Sequence, residues 1–75
     1  MTVKELLDLL GFDTKYELIG AKSGRRLCSS WNNKKEYIER YYDCRVTDKP
    51  IYASLMTSDR NNYTYPIVSI YVSGE

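Results

Sequence analysis

The sequence predicts one small α+β domain over 1–75. A four-stranded, mostly antiparallel sheet carries two short helices on one face, two layers in the order α-β-β-α-β-β. Three observations predict it. An apolar stripe at helical spacing opens the chain, two pairs of alternating segments are each joined by polar turn residues, and a short tyrosine-rich helical stripe separates the pairs. Seventy-five residues leave room for a single core, and a core of that size gives only ~3–5 kcal/mol of net stability.

The first helix begins at a capping box, Thr2 with Glu5 three residues on. Val3, Leu6, Leu7 and Leu10 form its stripe, Leu9 widens it, and Gly11 suits the position that ends a helix. Phe12 is expected to fold back on the helix end. A strand then runs from Lys15 to Ala21. Lys22-Ser23-Gly24 makes the turn, and a return strand from Arg25 or Arg26 to Trp31 completes a hairpin. Strict alternation places Leu27, Ser29 and Trp31 on one face of that strand, with Cys28 and Ser30 on the other.

Asn33 is placed to cap the second helix, with Glu36 at the capping-box position. Tyr37, Ile38, Tyr41 and Tyr42 form its stripe. A helix of about ten residues holds only when packed on a sheet. A strand starts near Arg45-Val46-Thr47, passes a turn or bulge at Asp48-Lys49-Pro50, and continues with Ile51, Ala53 and Leu55 alternating with Tyr52, Ser54 and Met56. After the polar loop 58–62, Tyr63 to Val72 alternates most clearly. Val68, Ile70 and Val72 share one face, and Ile67, Ser69 and Tyr71 the other. With the first set against the helices, Tyr71 and Ile67 lie on the uncovered face.

Composition bears on function. Eight tyrosines and one tryptophan offer large apolar area with a polar tip, as binding surfaces favour. Histidine is absent, which removes the commonest general base and metal ligand. The serines have no partner base, and no carboxylate pair has the spacing of a known catalytic set. The expectation is therefore a protein that is not an enzyme, with no catalytic residues, no cofactor and no metal. Cys28 and Cys44, the only cysteines, cannot close a zinc site alone. They read as reduced thiols; paired, they would close a 17-residue loop and add ~3 kcal/mol in the entropic model. No apolar run approaches the ~20 residues that span a bilayer. The N-terminus lacks a signal peptide's apolar core, so a cytoplasmic protein with no membrane partner is expected.

Two surfaces stand out. The first is the set Tyr52, Tyr63, Tyr65 and Tyr71, expected as contact residues for another protein or for a second copy in a homodimer, with Tyr71 on the uncovered sheet side. Arg25, Arg26 and Trp31 join it as secondary contacts. Tyr37, Tyr41 and Tyr42 are more simply core and boundary residues. The second surface is basic: Lys22, Arg25 and Arg26 around the first turn, then Lys34 and Lys35 beyond Trp31. Arginine near aromatics can clamp a phosphate or stack on a base, so a nucleic-acid or nucleotide module is the alternative. The simple reading of that surface is a solvated hairpin tip. A net charge of +1 lacks the basic excess that usually captures nucleic acid.

The capped run Thr2-Val3-Lys4-Glu5-Leu6-Leu7-Asp8-Leu9-Leu10, then Tyr16-Glu17-Leu18, the turn Lys22-Ser23-Gly24 and the step Tyr41-Tyr42-Asp43-Cys44-Arg45-Val46 resemble small accessory proteins of bacteriophages and prophages. The resemblance implies a compact protein in a host bacterial cytoplasm. Many such proteins bind and block a host defence protein, CRISPR effectors among them. It carries over no site residue, and the neutral charge departs from the acidic DNA-mimic type of inhibitor.

Overall fold

The computed structural model describes residues 1–11, 14–57 and 64–75, with backbone alone at Lys49, Pro50 and Met56. The elements are α1 (Val3–Leu10), β1 (Tyr16–Gly20), β2 (Arg26–Ser29), α2 (Lys35–Glu39), β3 (Val46–Thr57) and β4 (Thr64–Val72). They form a small α+β fold with two short helices and a mixed sheet.

The first turn of α1 is held from two directions. The Glu5 N–H donates to Thr2 Oγ1 at 3.3 Å, while the Thr2 N–H donates to Glu5 Oε1 at 3.0 Å. The next amides have no partner within the helix and find one elsewhere. Val3 N–H donates to the Cys44 carbonyl at 2.9 Å, and Lys4 N–H to that of Tyr42 at 3.1 Å. Val46 N–H in turn donates to the Met1 carbonyl at 3.1 Å. The start of the chain is thereby stitched to the turns after α2. Gly11 closes the helix at φ 87°, its N–H on the Leu7 carbonyl. Val3 and Leu6 are buried, with Leu7 and Leu10 packed beside them. Leu9 is 73% exposed and does not widen the buried stripe.

The Thr2 N–H and, second, the Thr2 hydroxyl, which donates to Glu5 Oε1 at 3.1 Å, hold the Glu5 carboxyl below the usual glutamate range. The contribution of the box is complete above the unfolded glutamate pKa and is lost as pH falls through the lower folded one. An NMR pH titration should place the Glu5 midpoint below the ordinary glutamate value. Thr2→Ala should return it upward; an unmoved midpoint would contradict the capping assignment.

The strand order is β2-β1-β4-β3. The two hairpins are antiparallel, but the central pair β1–β4 is parallel, with Tyr16 opposite Val68 and Gly20 opposite Val72. The sheet is therefore mixed, two antiparallel pairs flanking one parallel pair that the expected arrangement did not contain. The chain crosses from β2 through α2 to the far edge, and β4 returns into the gap beside β1 running the same way. Leu18, Cys28, Ile70 and Val72 face Val3 and Leu6 of α1 and Ile38 of α2 in one buried cluster.

Three local departures from the sequence expectation have physical causes. First, Leu18 pairs with Cys28 but Ile19 pairs with Arg26, so Leu27 is an extra residue in β2. This bulge lets Leu27 join Cys28 against the core and turns Arg26 outward, which breaks the strict alternation. Second, Asn33 does not cap α2. Its Oδ1 accepts the Ser29 N–H at 2.8 Å, closing the turn after β2. Lys34 stands at the cap without a side-chain hydrogen bond. Third, α2 holds five residues and not about ten. It tightens into three-residue steps, with Tyr41 N–H on the Ile38 carbonyl and Cys44 N–H on that of Tyr41.

The bulge expected at Asp48-Lys49-Pro50 coincides with a break in register. Val46 faces Val72 while Ile51 faces Ile70, so five steps along β3 match two along β4. The expected loop 58–62, Phe12 and Tyr63 lie outside the described residues.

Candidate functional site

The helices cover only part of the sheet. Past Val46, no described side chain of β3 joins the core cluster or the apolar residues packed on it. The register of β3 on β4 places Ile51, Ala53 and Leu55 on the helix side, level with Ile70, Val68 and Pro66, yet outside the cluster that the helices close. Ile51 is 42% and Leu55 72% exposed. Tyr52, on the opposite side, is 63% exposed. β3 is also the end of the sheet, and among the described residues its segment Ile51 to Thr57 pairs with β4 alone. Edge strands are normally guarded by charges or prolines. This one reads Ile51-Tyr52-Ala53-Ser54-Leu55-Met56-Thr57 without a charge, with Pro50 only at its start.

The helix-free face has a grid fixed by the registers. Ser29, Glu17, Ser69 and Tyr52 make one row across all four strands, and Arg26, Ile19 and Tyr71 make the next. Glu17 Oε1 accepts a hydrogen bond from Ser69 Oγ at 3.2 Å, and Arg26 lies 3.9 Å from the other carboxylate oxygen. The Arg26 guanidinium also lies 5.7 Å from the centre of the Trp31 ring, and Lys15 Nζ 4.2 Å from that of Tyr65. This face is not simply open: Ile67 is 1% exposed and Ser69 6%. Ile67, expected as a surface residue, is buried.

Of the expected contact residues, Tyr52 and Tyr71 come together. They line a cleft of about 630 Å³ with Ala21, Thr47, Asp48 and Ile51. The register break in β3 brings Thr47 and Asp48 to its wall. Those two residues and Ala21 were not foreseen as site residues, although the Asp48-Lys49-Pro50 bulge was the available signal. Tyr65 is half-buried beneath Lys15. Tyr63 lies outside the described residues.

The basic set is divided. Lys22 and Arg25 sit at the turn between β1 and β2, where Arg25 N–H donates to Ser23 Oγ at 3.2 Å. Lys34 and Lys35 lie past the opposite end of β2, and Arg26 leans on Glu17 and Trp31 in between. Lys35 and Trp31 do share a groove of about 650 Å³ between α1 and α2, with Asp8, Lys15, Ile38 and Tyr42 among its walls.

Both cysteines are free thiols. Burial pushes the Cys28 thiol up to about 11, and burial followed by the Glu75 and Asp43 charges raises that of Cys44. Each is thus held in the protonated, weakly nucleophilic form at neutral pH. Among the described residues no three His, Cys, Asp or Glu side chains gather as a metal site, and no helix is long and apolar enough to cross a membrane.

Fold and site together define a small mixed α+β domain with an uncharged apolar strip on its edge strand and a tyrosine-lined cleft beside it. The chain matches no family model, no curated protein and no solved structure.

Proposed function

We propose that this chain is a non-enzymatic binding protein that docks on another protein through β3 and blocks it. The observation that carries the reading is the exposed strip Ile51, Tyr52 and Leu55 on a sheet edge without charge. Such an edge offers backbone donors and acceptors to an added strand, and its side chains supply apolar area on both faces. The tyrosine rings bury much area for little rotamer entropy. A partner so engaged is covered by a body measuring 36 × 22 × 20 Å, so occlusion needs no chemistry.

The resemblance to phage accessory proteins supplies the setting, in which the partner belongs to a bacterial defence system such as a CRISPR effector. Plating tests it. In a host whose CRISPR system targets a test phage, expression of the wild-type chain should raise plating by orders of magnitude, and Leu55→Lys should not. No rise across hosts carrying CRISPR and restriction systems would remove the defence setting.

The groove holding Trp31, Lys15 and Lys35 favours a second reading, a small nucleic-acid or nucleotide-binding module. Trp31 is the sole tryptophan, so its fluorescence reports directly on that groove. On this reading oligonucleotides or nucleotides quench it at low salt and are released as salt rises. The divided basic set leads us to expect unchanged fluorescence; salt-sensitive quenching would favour the second reading.

A further inference from the structure

The cleft beside the β3 bulge has a composition that selects its ligand. Among the described residues its lining is Ala21, Thr47, Asp48, Ile51, Tyr52 and Tyr71, of which Asp48 alone is acidic and none is basic. Lys22 follows Ala21 in the chain but does not line the cleft. Asp48 makes no ion pair or hydrogen bond with any described residue, nor do the hydroxyls of Tyr52 and Tyr71. The two rings stand on the same face of the sheet: Tyr52 is level with Ser69, two residues from Tyr71 along β4.

We propose that this cleft receives an organic cation, a guanidinium or alkylammonium group, held against the Tyr52 and Tyr71 rings with its charge turned to Asp48. A ring face carries negative charge density, and a cation within about 6 Å of its centre is attracted. Ile51 and Ala21 offer apolar contact to the methylene stem that carries such a group. A phosphate or carboxylate would meet Asp48 with no cation among the described lining residues to compensate it. A neutral apolar group would leave the carboxylate facing it unpaired. The protein-docking reading enters only in the source of the cation, an arginine or lysine side chain of the partner; the chemistry of the cleft stands apart from it.

The test is an NMR titration of the intact chain, following the ring signals of Tyr52 and Tyr71. The probes are N-acetylarginine amide and its neutral isostere N-acetylcitrulline amide, then choline and its neutral isostere 3,3-dimethylbutan-1-ol. Each cation should shift both rings saturably and bind roughly two- to thirtyfold more tightly than its neutral partner. Asp48→Asn should erase most of that difference while leaving the rest of the spectrum in place. Tighter binding of the arginine compound than of choline assigns the cleft to a protein side chain, and the reverse assigns it to a small free cation; either supports the proposal. Equal binding of charged and neutral partners, no shift at the two rings, or indifference to Asp48→Asn overturns it. Leu55 does not line the cleft, so Leu55→Lys should keep arginine binding even where it abolishes docking. The two readings can therefore fail separately.

Discussion

Ile70→Ala is expected to leave little folded protein. Ile70 is fully buried at the centre of the sheet, level with Leu18 on β1 and Ile51 on β3, and it belongs to the cluster that faces both helices. Truncating a buried isoleucine to alanine costs ~2–5 kcal/mol through lost transfer energy and the cavity left behind. A core of this size supplies only ~3–5 kcal/mol in total, so one substitution consumes most of it. The site also has little means of collapse, because Ile70 is held by ladders on both sides. Urea titration followed by circular dichroism measures the effect. A midpoint within experimental error of wild type would show that the cluster is not the core.

Leu55→Lys is expected to do the opposite, leaving the fold intact and removing the interaction. Leu55 is largely exposed and lies outside the buried cluster, so its replacement should alter stability by no more than about 0.5 kcal/mol. A lysine on an edge strand also discourages strand addition. At a true anchor the loss in binding should reach about 2 kcal/mol or more, roughly thirtyfold. Tyr52→Ala should act in the same sense from the opposite side of the strand. Sedimentation of both variants beside wild type across a concentration series identifies the case in which the occupant of the edge is a second copy.

Legibility in the sequence followed the range of the interactions. The capping box at Thr2 and Glu5 involves neighbours three residues apart, and it formed as the residue types required. The first hairpin was visible in its turn residues and alternation, but the extra residue at Leu27 was not. Its inward turn depends on a core built from β4 and both helices. Asn33 had two uses, capping α2 or closing the turn on Ser29, and the second prevailed. Local pattern cannot rank such competitors. The parallel pairing of β1 with β4 was equally hidden, because each hairpin specifies its own register and not its neighbour.

The candidate site was legible to the same degree. Period-two alternation placed Tyr71 on the helix-free face, where it stands, and the register of β3 on β4 adds Tyr52 to that face. That they share a cleft with Asp48 depends on how far the β3 bulge carries the chain, and no spacing rule states that distance. Ile67 shows the reverse error, an outward position that is nevertheless buried. The strip at Ile51 and Leu55 read as one face of an ordinary strand. Its exposure arises because α1 and α2 are short and the buried cluster they close takes in no described side chain of β3 beyond Val46.

Immobilised wild-type protein and folded Leu55→Lys, exposed to the same bacterial lysate, decide whether the molecule works through its β3 edge. Wild type should retain a partner in stoichiometric amount that the variant releases, with both proteins unfolding at the same urea concentration. Retention of the same partner by the variant, or none by wild type, would contradict docking through this strand.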